Sequence, residues 1–346
     1  MSYIIGNTVK LSIFGESHGK AVGVTIDGIP SGKEVNLTAL QCFLNRRAPG
    51  NSSITTGRKE KDVPELLSGI KLVEAADEGV DIRAVTTGAP IAALIYNENQ
   101  EKADYRDIKY KPRPGHADYT AYVKYKGFND EAGGGHFSGR LTAPLCIAGG
   151  ICKQLLEEKG VTIEGKICSV QNSDKNPENI KKVIETAKDK GDSVGGIIEV
   201  IINGVPPGLG EPMFGGIESR ISQAAFGIPA VKGIEFGLGF QAARLLGSEN
   251  NDSFNVENGR VITESNNCGG ILGGISTGMP IVFRAAVKPT PSIGISQKTV
   301  DLTTMQPCEI KIDGRHDPSI VPRAVAPLEA AAAIVIYDMM LSEAML

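Results

Sequence analysis

The sequence predicts a mixed α and β fold in which helices pack on sheets within one domain. Apolar runs of strand length alternate with segments that carry apolar residues at helical spacing. Glycine makes up 42 of the 346 residues, against a usual share of about 7%, and is spread along the chain. Because no linker-like tract divides the sequence, we predict a single domain over residues 1–346.

Strand signals begin near the N-terminus. Apolar runs bounded by turn residues are typical of strands, and the clearest of them, Gly195 to Val205, is closed by Pro206-Pro207-Gly208. The predicted strands cover residues 9–14, 22–29, 84–88, 92–96, 195–205 and 278–287.

Four segments have helical spacing. Ala143 to Lys159 and Pro177 to Lys190 are each followed by a glycine, which commonly ends a helix. A shorter segment covers Glu218 to Phe226. Val325 to Met345 is rich in Ala and Ile with few polar positions, so we expect it to be buried in a core or a subunit interface.

Residues 97–135 differ from the rest of the chain. They contain few apolar residues and many charges and glycines. A long irregular stretch in a compact protein is usually a functional loop. Because this one contains His116, we predict an active-site loop or lid.

Charge and composition narrow the class of protein. With 41% hydrophobic and 22% charged residues and a net charge of −4, the chain has the composition of a globular protein, and no general affinity for nucleic acid or membranes is expected. Basic residues cluster locally, from Arg46 to Lys61 and from Lys109 to Arg113. Such local clusters suit a small polyanion.

The six cysteines show no CxxC pair and no metal-finger spacing with histidine, so we expect free thiols in a reducing cytoplasm and no metal site. The N-terminus lacks a secretory signal pattern. The most apolar stretch, Ala330 to Met340, is too short to span a bilayer and carries Asp338. We therefore predict a cytoplasmic protein.

All four histidines lie in glycine-containing segments, and three have an arginine within four residues. Histidine is the usual proton carrier near neutral pH, and arginine binds carboxylates and phosphates. Each segment alone could be a surface turn, but together they indicate one site for an anionic substrate. Gly15, Ser17 and Gly19 also match a hydrolase nucleophile elbow, although the segment leads into a second β-like run instead of a helix.

Seven segments in register resemble the chorismate synthase family over essentially the whole chain. They are Phe14-Gly15-Glu16-Ser17-His18-Gly19 with Gly23 to Pro30, Asn45 to Gly50, Arg113 to Asp118, Glu218 to Ser222, Asn267 to Ser276, Lys288 to Ser292, and Gly314-Arg315-His316-Asp317-Pro318 with Arg323 to Ala330.

This resemblance implies a lyase that uses reduced FMN to convert 5-enolpyruvylshikimate 3-phosphate to chorismate and phosphate by 1,4-elimination. The reaction is the last common step of aromatic amino-acid biosynthesis. The implied fold is a β-α-β sandwich with helices packed between antiparallel sheets, and the implied assembly is a homotetramer.

The resemblance also implies roles for individual residues. His18 assists the departing phosphate, His116 protonates or polarises the reduced flavin, and Asp317 receives the ring proton. Ser17 and Ser138 support this relay by hydrogen bonding. The implied substrate-binding residues are Arg46, Arg47, Arg140 and Arg323. The implied FMN contacts are His136, Phe137, Ser138, Pro229, Ala230, Gly273, Lys288, Pro289, Thr290, Pro291, Ser292 and Arg315.

Two departures from the family pattern bear on the cofactors. Many members carry Arg-Ser-Ser-Ala-Arg where this chain has His136-Phe137-Ser138-Gly139-Arg140, and many carry a second basic residue near the position of Ser53. Arg47 is the matched position for any NADPH contact, and NADPH would serve only as an electron source. Because no Gly-x-Gly-x-x-Gly fingerprint follows a strand, we expect an external flavin reductase. An FMN-dependent oxidoreductase acting on a carboxylated substrate and a non-catalytic anion-binding protein are the alternatives.

Overall fold

A long apolar helix, α7 (Val321–Ser342), lies between two antiparallel sheets and forms the centre of the fold. The structure is a computed structural model that describes residues 3–48, 61–73, 81–97, 110–130, 132–312 and 317–346. The buried side chains of both sheets and of the helices between them belong to one large hydrophobic cluster.

The two main sheets are entirely antiparallel. The first has the strand order β1-β2-β3-β8-β5 and the second β11-β16-β10-β9. The strands of the first are β1 (Ile4–Ile5), β2 (Lys10–Gly15), β3 (Ala21–Asp27), β5 (Glu65–Ser68) and β8 (Ile91–Tyr96). The strands of the second are β9 (Thr162–Val170), β10 (Gly196–Asn203), β11 (Val231–Phe236) and β16 (Ile281–Val287).

A helical layer fills the space between these sheets. It contains α1 (Leu37–Arg47), α3 (Thr142–Glu157), α5 (Ile217–Phe226) and α7. Helix α3 packs against β2, β3 and β8 of the first sheet, whereas α7 packs against β9 and β10 of the second. The predicted α+β sandwich with helices between antiparallel sheets is thereby confirmed.

Close approach of α3 and α7 depends on small side chains. A Cβ atom added at Gly149 would lie 2.2 Å from the Cβ of Ala330, so the two helices cross where only hydrogen and methyl groups separate their backbones. The remaining helices are α2 (Asp118–Lys124), α4 (Pro177–Asp189) and α6 (Gly247–Asn250).

Smaller β structures complete the described chain. A three-stranded sheet has the order β4-β7-β6, and three hairpins pair consecutive strands. The sheet contains β4 (Glu34–Asn36), β6 (Ile70–Leu72) and β7 (Arg83–Thr86). The hairpins are β12 (Phe254–Glu257) with β13 (Arg260–Thr263), β14 (Ile271–Leu272) with β15 (Ile275–Ser276), and β17 (Gln297–Asp301) with β18 (Gln306–Ile310).

The predicted core elements match the observed ones to within a few residues. Helices predicted over 143–159, 177–190, 218–226 and 325–345 correspond to α3, α4, α5 and α7, and the six predicted strands correspond to β2, β3, β7, β8, β10 and β16. The expectation of an irregular stretch over 97–135 was wrong for Asp118–Lys124, which forms α2. This helix buries only Ala121, so it leaves little apolar periodicity to detect.

Helix α7 is long and apolar enough to cross a membrane by length and composition, but 94% of its most apolar window is buried inside the fold. It also carries two fully buried carboxylates, each paired with an arginine. Glu329 binds both terminal nitrogens of Arg46, at 2.7 and 2.6 Å. Asp338 pairs with Arg220. These pairs identify α7 as the core helix that its composition predicts.

The Asp338 carboxylate also holds the N-terminal chain. It accepts hydrogen bonds from the backbone N–H groups of Asn7, Thr8 and Val9 at 3.0, 2.7 and 2.6 Å. Since Asp338 is completely buried, these donors and Arg220 supply the polar partners that its charge requires.

We expect Asp338→Ala to lower the free energy of unfolding by about 3–5 kcal/mol, because the change leaves Arg220 and three backbone donors without the carboxylate. Urea denaturation at one fixed protein concentration measures the effect. The control is Glu185→Gln, which removes an exposed carboxylate from a helix-surface pair with Lys181 and should change stability by at most about 0.5 kcal/mol. Equal effects of the two variants would contradict the anchoring role of Asp338.

Candidate active site

The turn between β2 and β3 carries the first histidine of the site. His18 is buried, and its Nδ1 lies 3.0 Å from the hydroxyl of Ser17. This hydroxyl donates to the carbonyl of Ala132 at 3.2 Å, so it must accept from Nδ1–H of His18. In that tautomer Nε2 carries the lone pair and is the nitrogen that can take up a proton.

The second histidine lies just before α2, in contact with a carboxylate and an arginine. Nδ1 of His116 is 2.5 Å from Oδ1 of Asp118. Arg113 binds the same carboxylate with two nitrogens, Nε to Oδ2 and Nη2 to Oδ1, both at 2.8 Å. Burial opposes ionisation of Asp118, but hydrogen bonds from Arg113 and His116 hold the pKa of its carboxyl well below the usual range.

Two consecutive glycines bring these histidines together. A Cβ atom at Gly133 would lie 2.0 Å from Cε1 of His18, and one at Gly134 would lie 3.0 Å from Cε1 and Nε2 of His116. Both glycines have positive φ, 63° and 110°, which other residues rarely adopt. The two imidazoles therefore rest on neighbouring α-carbons of one glycine pair.

A short 3₁₀ turn, Gly135–Phe137, presents His136 and Phe137 directly after these glycines. The His136 ring meets Tyr3 and Tyr125 edge-on, with centroids 5.7 and 5.3 Å apart, and packs against Phe137 at 4.3 Å. Burial lowers the pKa of His136. Its Nε2 is a buried atom with no hydrogen-bond partner among the described residues.

Ser138 and Arg140 connect this segment to the first histidine turn. The Ser138 hydroxyl accepts from the backbone N–H of Arg140 at 3.2 Å. Nε of Arg140 donates to Oδ1 of Asn97 at 2.9 Å. The Asn97 amide in turn donates to the carbonyl oxygens of Glu16 and Gly19, at 3.0 and 2.8 Å.

A buried aspartate holds two of the predicted substrate arginines. Asp62 is paired with Arg140 and lies 3.2 Å from Nε of Arg47. Only 1% of the Arg47 side chain is exposed, and burial lowers its pKa to about 10. Arg47 thus stays a cation at neutral pH. Its Nη1 has no hydrogen-bond partner within the described chain.

The end of α1 meets the start of α7 at this point. Nε of Arg323 donates to the carbonyl of Arg47 at 3.1 Å, and Nη1 of Arg323 contacts the Asp317 carboxylate at 2.5 Å. The backbone carbonyl of Asp317 accepts from the Thr290 hydroxyl at 2.8 Å. Asp317, the predicted base, therefore contacts both Arg323, a predicted substrate-binding residue, and the segment 288–292, which is predicted to contact FMN.

The segment 288–292, which is predicted to contact FMN, also forms hydrogen bonds with the segment around His116. Nζ of Lys288 donates to the carbonyl of Gly115 at 2.6 Å, and Nη1 of Arg113 donates to the Ser292 hydroxyl at 3.1 Å. The backbone N–H of Lys288 donates to the carbonyl of Ala230, which follows Pro229, at 2.9 Å. Most of the predicted FMN contacts thus lie in one connected region.

Two predicted residues have no contact with this region among the described residues. The guanidinium of Arg46 is bound to Glu329 in the helical layer. Gly273 lies in the β14–β15 turn, where an added Cβ would meet no atom within 4 Å. Arg315 lies outside the described residues, as does the neighbouring His316.

The site contains three polar residues to which sequence reasoning assigned no role: Asp62, Asn97 and Asp118. Asp118 stands inside the Arg113 to Asp118 motif, so its nearness to His116 in sequence was a usable signal. Asp62 and Asn97 had no comparable signal, because their partners are distant in the chain and meet them only in the folded structure.

Contacts connect these residues into one set. His18 and His116 lie against the glycine pair, and Arg113 links His116 to Ser292. Thr290 of the same segment bonds Asp317, which contacts Arg323, and Arg323 bonds Arg47. Asp62 pairs with Arg47 and Arg140, and Arg140 reaches the His18 turn through Asn97. The set contains two histidines, one carboxylate predicted to act as a base, and three arginines predicted to bind the substrate. Such a set can bind an anionic substrate and move protons at two places.

The donors in this region fit the FMN that the resemblance implies. Lys288 is partly buried, and burial together with nearby Lys232 lowers the pKa of its ammonium group, so a bound phosphate would be stabilised there. The unpartnered Nε2 of His136 offers a further polar contact. These residues would hold the cofactor through its phosphate and its polar ring atoms.

Comparison with known proteins agrees with the family resemblance that the sequence motifs indicate. A family model described as chorismate synthase matches residues 9–341. A chorismate synthase from Pyrococcus abyssi is 48% identical over 356 residues, covering 97% of each chain, and one from Dehalococcoides mccartyi is 44% identical over 364 residues, covering 99% of this chain and 97% of the relative. A crystal structure of chorismate synthase aligns with a TM-score of 0.73 at 29% identity, over 98% of this chain and 93% of the other.

We expect Gly133→Ala to displace the His18 ring, because the new methyl group would overlap Cε1. The matched control is Gly160→Ala, where φ is +78° and no atom lies within 4 Å of an added Cβ. Both variants should lose about 1 kcal/mol of stability from backbone strain. Only Gly133→Ala should change the NMR chemical shift and titration of His18. Unchanged His18 resonances would contradict the packing described here.

Proposed function

The chain belongs to the chorismate synthase family, and from that premise we propose that it converts 5-enolpyruvylshikimate 3-phosphate to chorismate and phosphate. It is a carbon–oxygen lyase of the shikimate pathway. The observation that best supports this function at the site is the pair of histidines on Gly133-Gly134, connected through hydrogen bonds and ion pairs to Arg47, Arg140 and Arg323.

The substrate carries two carboxylates and a phosphate, so its binding requires several cations. Arg47, Arg140 and Arg323 are held in place by contacts with Asp62 and Asp317. An arginine that is held in position loses less conformational entropy when it binds an anion. Arg46 is the least suited of the four, because Glu329 already binds both of its terminal nitrogens.

The elimination breaks the bond between a ring carbon and the phosphate oxygen, and a ring C–H bond elsewhere loses its proton. His18 in its imidazolium form, protonated at Nε2 before the step, donates that proton to the departing phosphate and returns to the Nδ1–H tautomer, while Ser17 fixes Nδ1. Asp317 receives the ring proton, and Arg323 orients this carboxylate. Ser138 caps the turn that positions Arg140.

The chemistry that a bound reduced FMN would supply is electron density for the substrate as the phosphate leaves, with no net consumption of the cofactor. The described residues that would hold it are His136, Phe137, Ser138, Pro229, Ala230, Lys288 and the following Pro289-Thr290-Pro291-Ser292 segment. His116 holds a proton at the edge of this group of residues.

Electrons for the flavin come from a separate reductase in this proposal. The residue matched to an NADPH contact, Arg47, has a side chain that is only 1% exposed and is paired with Asp62. A buried, paired guanidinium is a poor surface for a dinucleotide. NADPH would therefore act through another protein, and the six free cysteines are consistent with the reducing cytoplasm in which such a reductase works.

The assembly is a homotetramer in this proposal, and an apolar hairpin face supports self-association. Phe254 and Val256 of β12 lie on one face with Val261, the cross-strand partner of Val256. These three side chains are 65–68% exposed. Phe240 and Leu246, which are also exposed, lie in the segment that precedes the hairpin. Asn267, which follows the hairpin, forms hydrogen bonds with this segment. A monomer seldom exposes so many large apolar groups together.

The decisive assay mixes the protein anaerobically with the enolpyruvyl phosphate and photoreduced FMN, and follows chorismate absorbance and free phosphate. We expect one phosphate per chorismate with no net use of reductant. His116→Ala should lower turnover by about 10²–10⁴-fold, the contribution of a general acid–base group. With oxidised FMN and NADPH, turnover should require an added flavin reductase.

The other outcomes of this assay identify the alternatives. Consumption of one NADPH per product would indicate an oxidoreductase. Binding of the substrate without phosphate release would indicate a non-catalytic anion-binding protein, and either result would overturn the lyase assignment.

We expect Val256→Asp to reduce the molar mass in light scattering below that of a tetramer, because it places a charge in the apolar hairpin face. Asn255→Asp is the control, since it adds the same charge on the opposite face of the same strand. Tetramers in both variants would exclude this face as an interface.

A further inference from the structure

We propose that Asp118 and Arg113 are positioning residues for His116: the Asp118 carboxylate holds the Nδ1–H tautomer and thereby makes Nε2 the nitrogen that carries the proton in the reaction. This inference deepens the proposed function and rests on it. It concerns two residues to which the family resemblance assigned no role.

The tautomer follows from the contacts of the His116 ring. Nδ1 lies 2.5 Å from a carboxylate oxygen of Asp118, and a carboxylate can only accept a hydrogen bond when it is ionised. An unprotonated Nδ1 would place two lone pairs against each other at that distance. Nη2 of Arg113 also lies 3.0 Å from Nδ1 and 3.4 Å from Nε2, but it donates to Oδ1 of Asp118 at 2.8 Å. The shorter contact of Nδ1 with the carboxylate decides, so Nδ1 carries hydrogen and in the neutral ring the exchangeable position is Nε2.

Arg113 holds the Asp118 carboxylate in place, and this carboxylate in turn holds the His116 ring. Its side chain donates from Nε and Nη2 to the two oxygens of Asp118, and its backbone N–H donates to Oδ2 at 3.0 Å. The third nitrogen, Nη1, reaches the Ser292 hydroxyl. Because the Arg113 side chain is only 4% exposed, this bidentate geometry is shielded from water and is stronger than a surface ion pair.

The charges around the ring favour proton transfer at Nε2 over transfer to Asp118. Two guanidinium contacts and the His116 contact stabilise the ionised carboxylate, so Asp118 orients the ring without taking its proton, as an aspartate does in a serine protease triad. When Nε2 gains a proton, the adjacent carboxylate stabilises the imidazolium. When Nε2 loses it, the same contact keeps Nδ1–H in place.

The other titratable or charged groups near His116 form their hydrogen bonds with other partners or lie farther from its ring. Asp130 lines the same cavity but accepts from the backbone N–H of Ala132 at 3.1 Å. Lys288 binds the carbonyl of Gly115, and His18 lies beyond the glycine pair. Within the described chain, Asp118 and Arg113 are the charged side chains at hydrogen-bond distance from the ring.

The first test is NMR of the four histidines in the full-length protein, labelled with ¹⁵N and assigned by single histidine substitutions. We expect His116 to show the Nδ1–H tautomer in the wild type. In Asp118→Asn the Nδ1–H signal should weaken in favour of Nε2–H, because the carboxylate that accepts from Nδ1 is lost. Asp130→Asn, which changes a carboxylate on the same cavity wall, should leave the tautomer unchanged. A wild-type ring with hydrogen on Nε2 alone would overturn the proposal.

The second test is kinetic and includes a double variant. Asp118→Asn should lower turnover by about 10²-fold. In a His116→Ala background, the same change should cost less than about twofold, because Asp118 acts through the missing ring. Equal losses in both backgrounds would show a structural role instead and would reject the positioning role.

These tests separate the two proposals. A wild-type protein that releases no phosphate contradicts the lyase function, yet the tautomer measurement still decides whether Asp118 orients His116. Conversely, an active wild type with an unaffected His116 resonance in Asp118→Asn rejects only the positioning role.

Discussion

Burial of α7 between the two sheets is the constraint on which the rest of the structure depends. The helix is apolar on nearly every side, so it can exist only with covering layers around it. Its two buried carboxylates then recruit specific partners. Glu329 binds Arg46 of α1 and the backbone N–H of Gly165 in β9, and Asp338 binds Arg220 and the N-terminal chain. One helix thereby sets the positions of both sheets and of the neighbouring helices.

The site is a consequence of this arrangement at the N-terminal end of α7. Arg323 lies in the first turn of the helix and contacts both Asp317 and the end of α1. From there, Asp62 and Asn97 extend the polar contacts to the turn that carries His18. Each arginine proposed to bind the substrate, except Arg46, is held by a carboxylate inside the site, so these guanidinium groups are oriented before any ligand binds.

The sequence predicted the core of the fold well, because buried helices and strands leave periodic patterns. It predicted the hairpins less well. The β12–β13 hairpin exposes its apolar face, and β17–β18 contains more polar than apolar residues, so neither has the alternation of a half-buried strand. At the site, His18 and His116 were identified through motifs. Asp62 could not be, because one of several charged residues in a basic stretch shows nothing of the two arginines that reach it from distant segments.

The glycine pair under the two histidines has a further consequence for how the enzyme tolerates change. Consecutive α-carbons are about 3.8 Å apart in any trans peptide, so both rings pack against the same short piece of backbone. A shift of that peptide would move the surface under His18 and the surface under His116 together. The two glycines leave almost no room for substitution, because an added Cβ would lie 3.0 Å or less from an imidazole atom at either position.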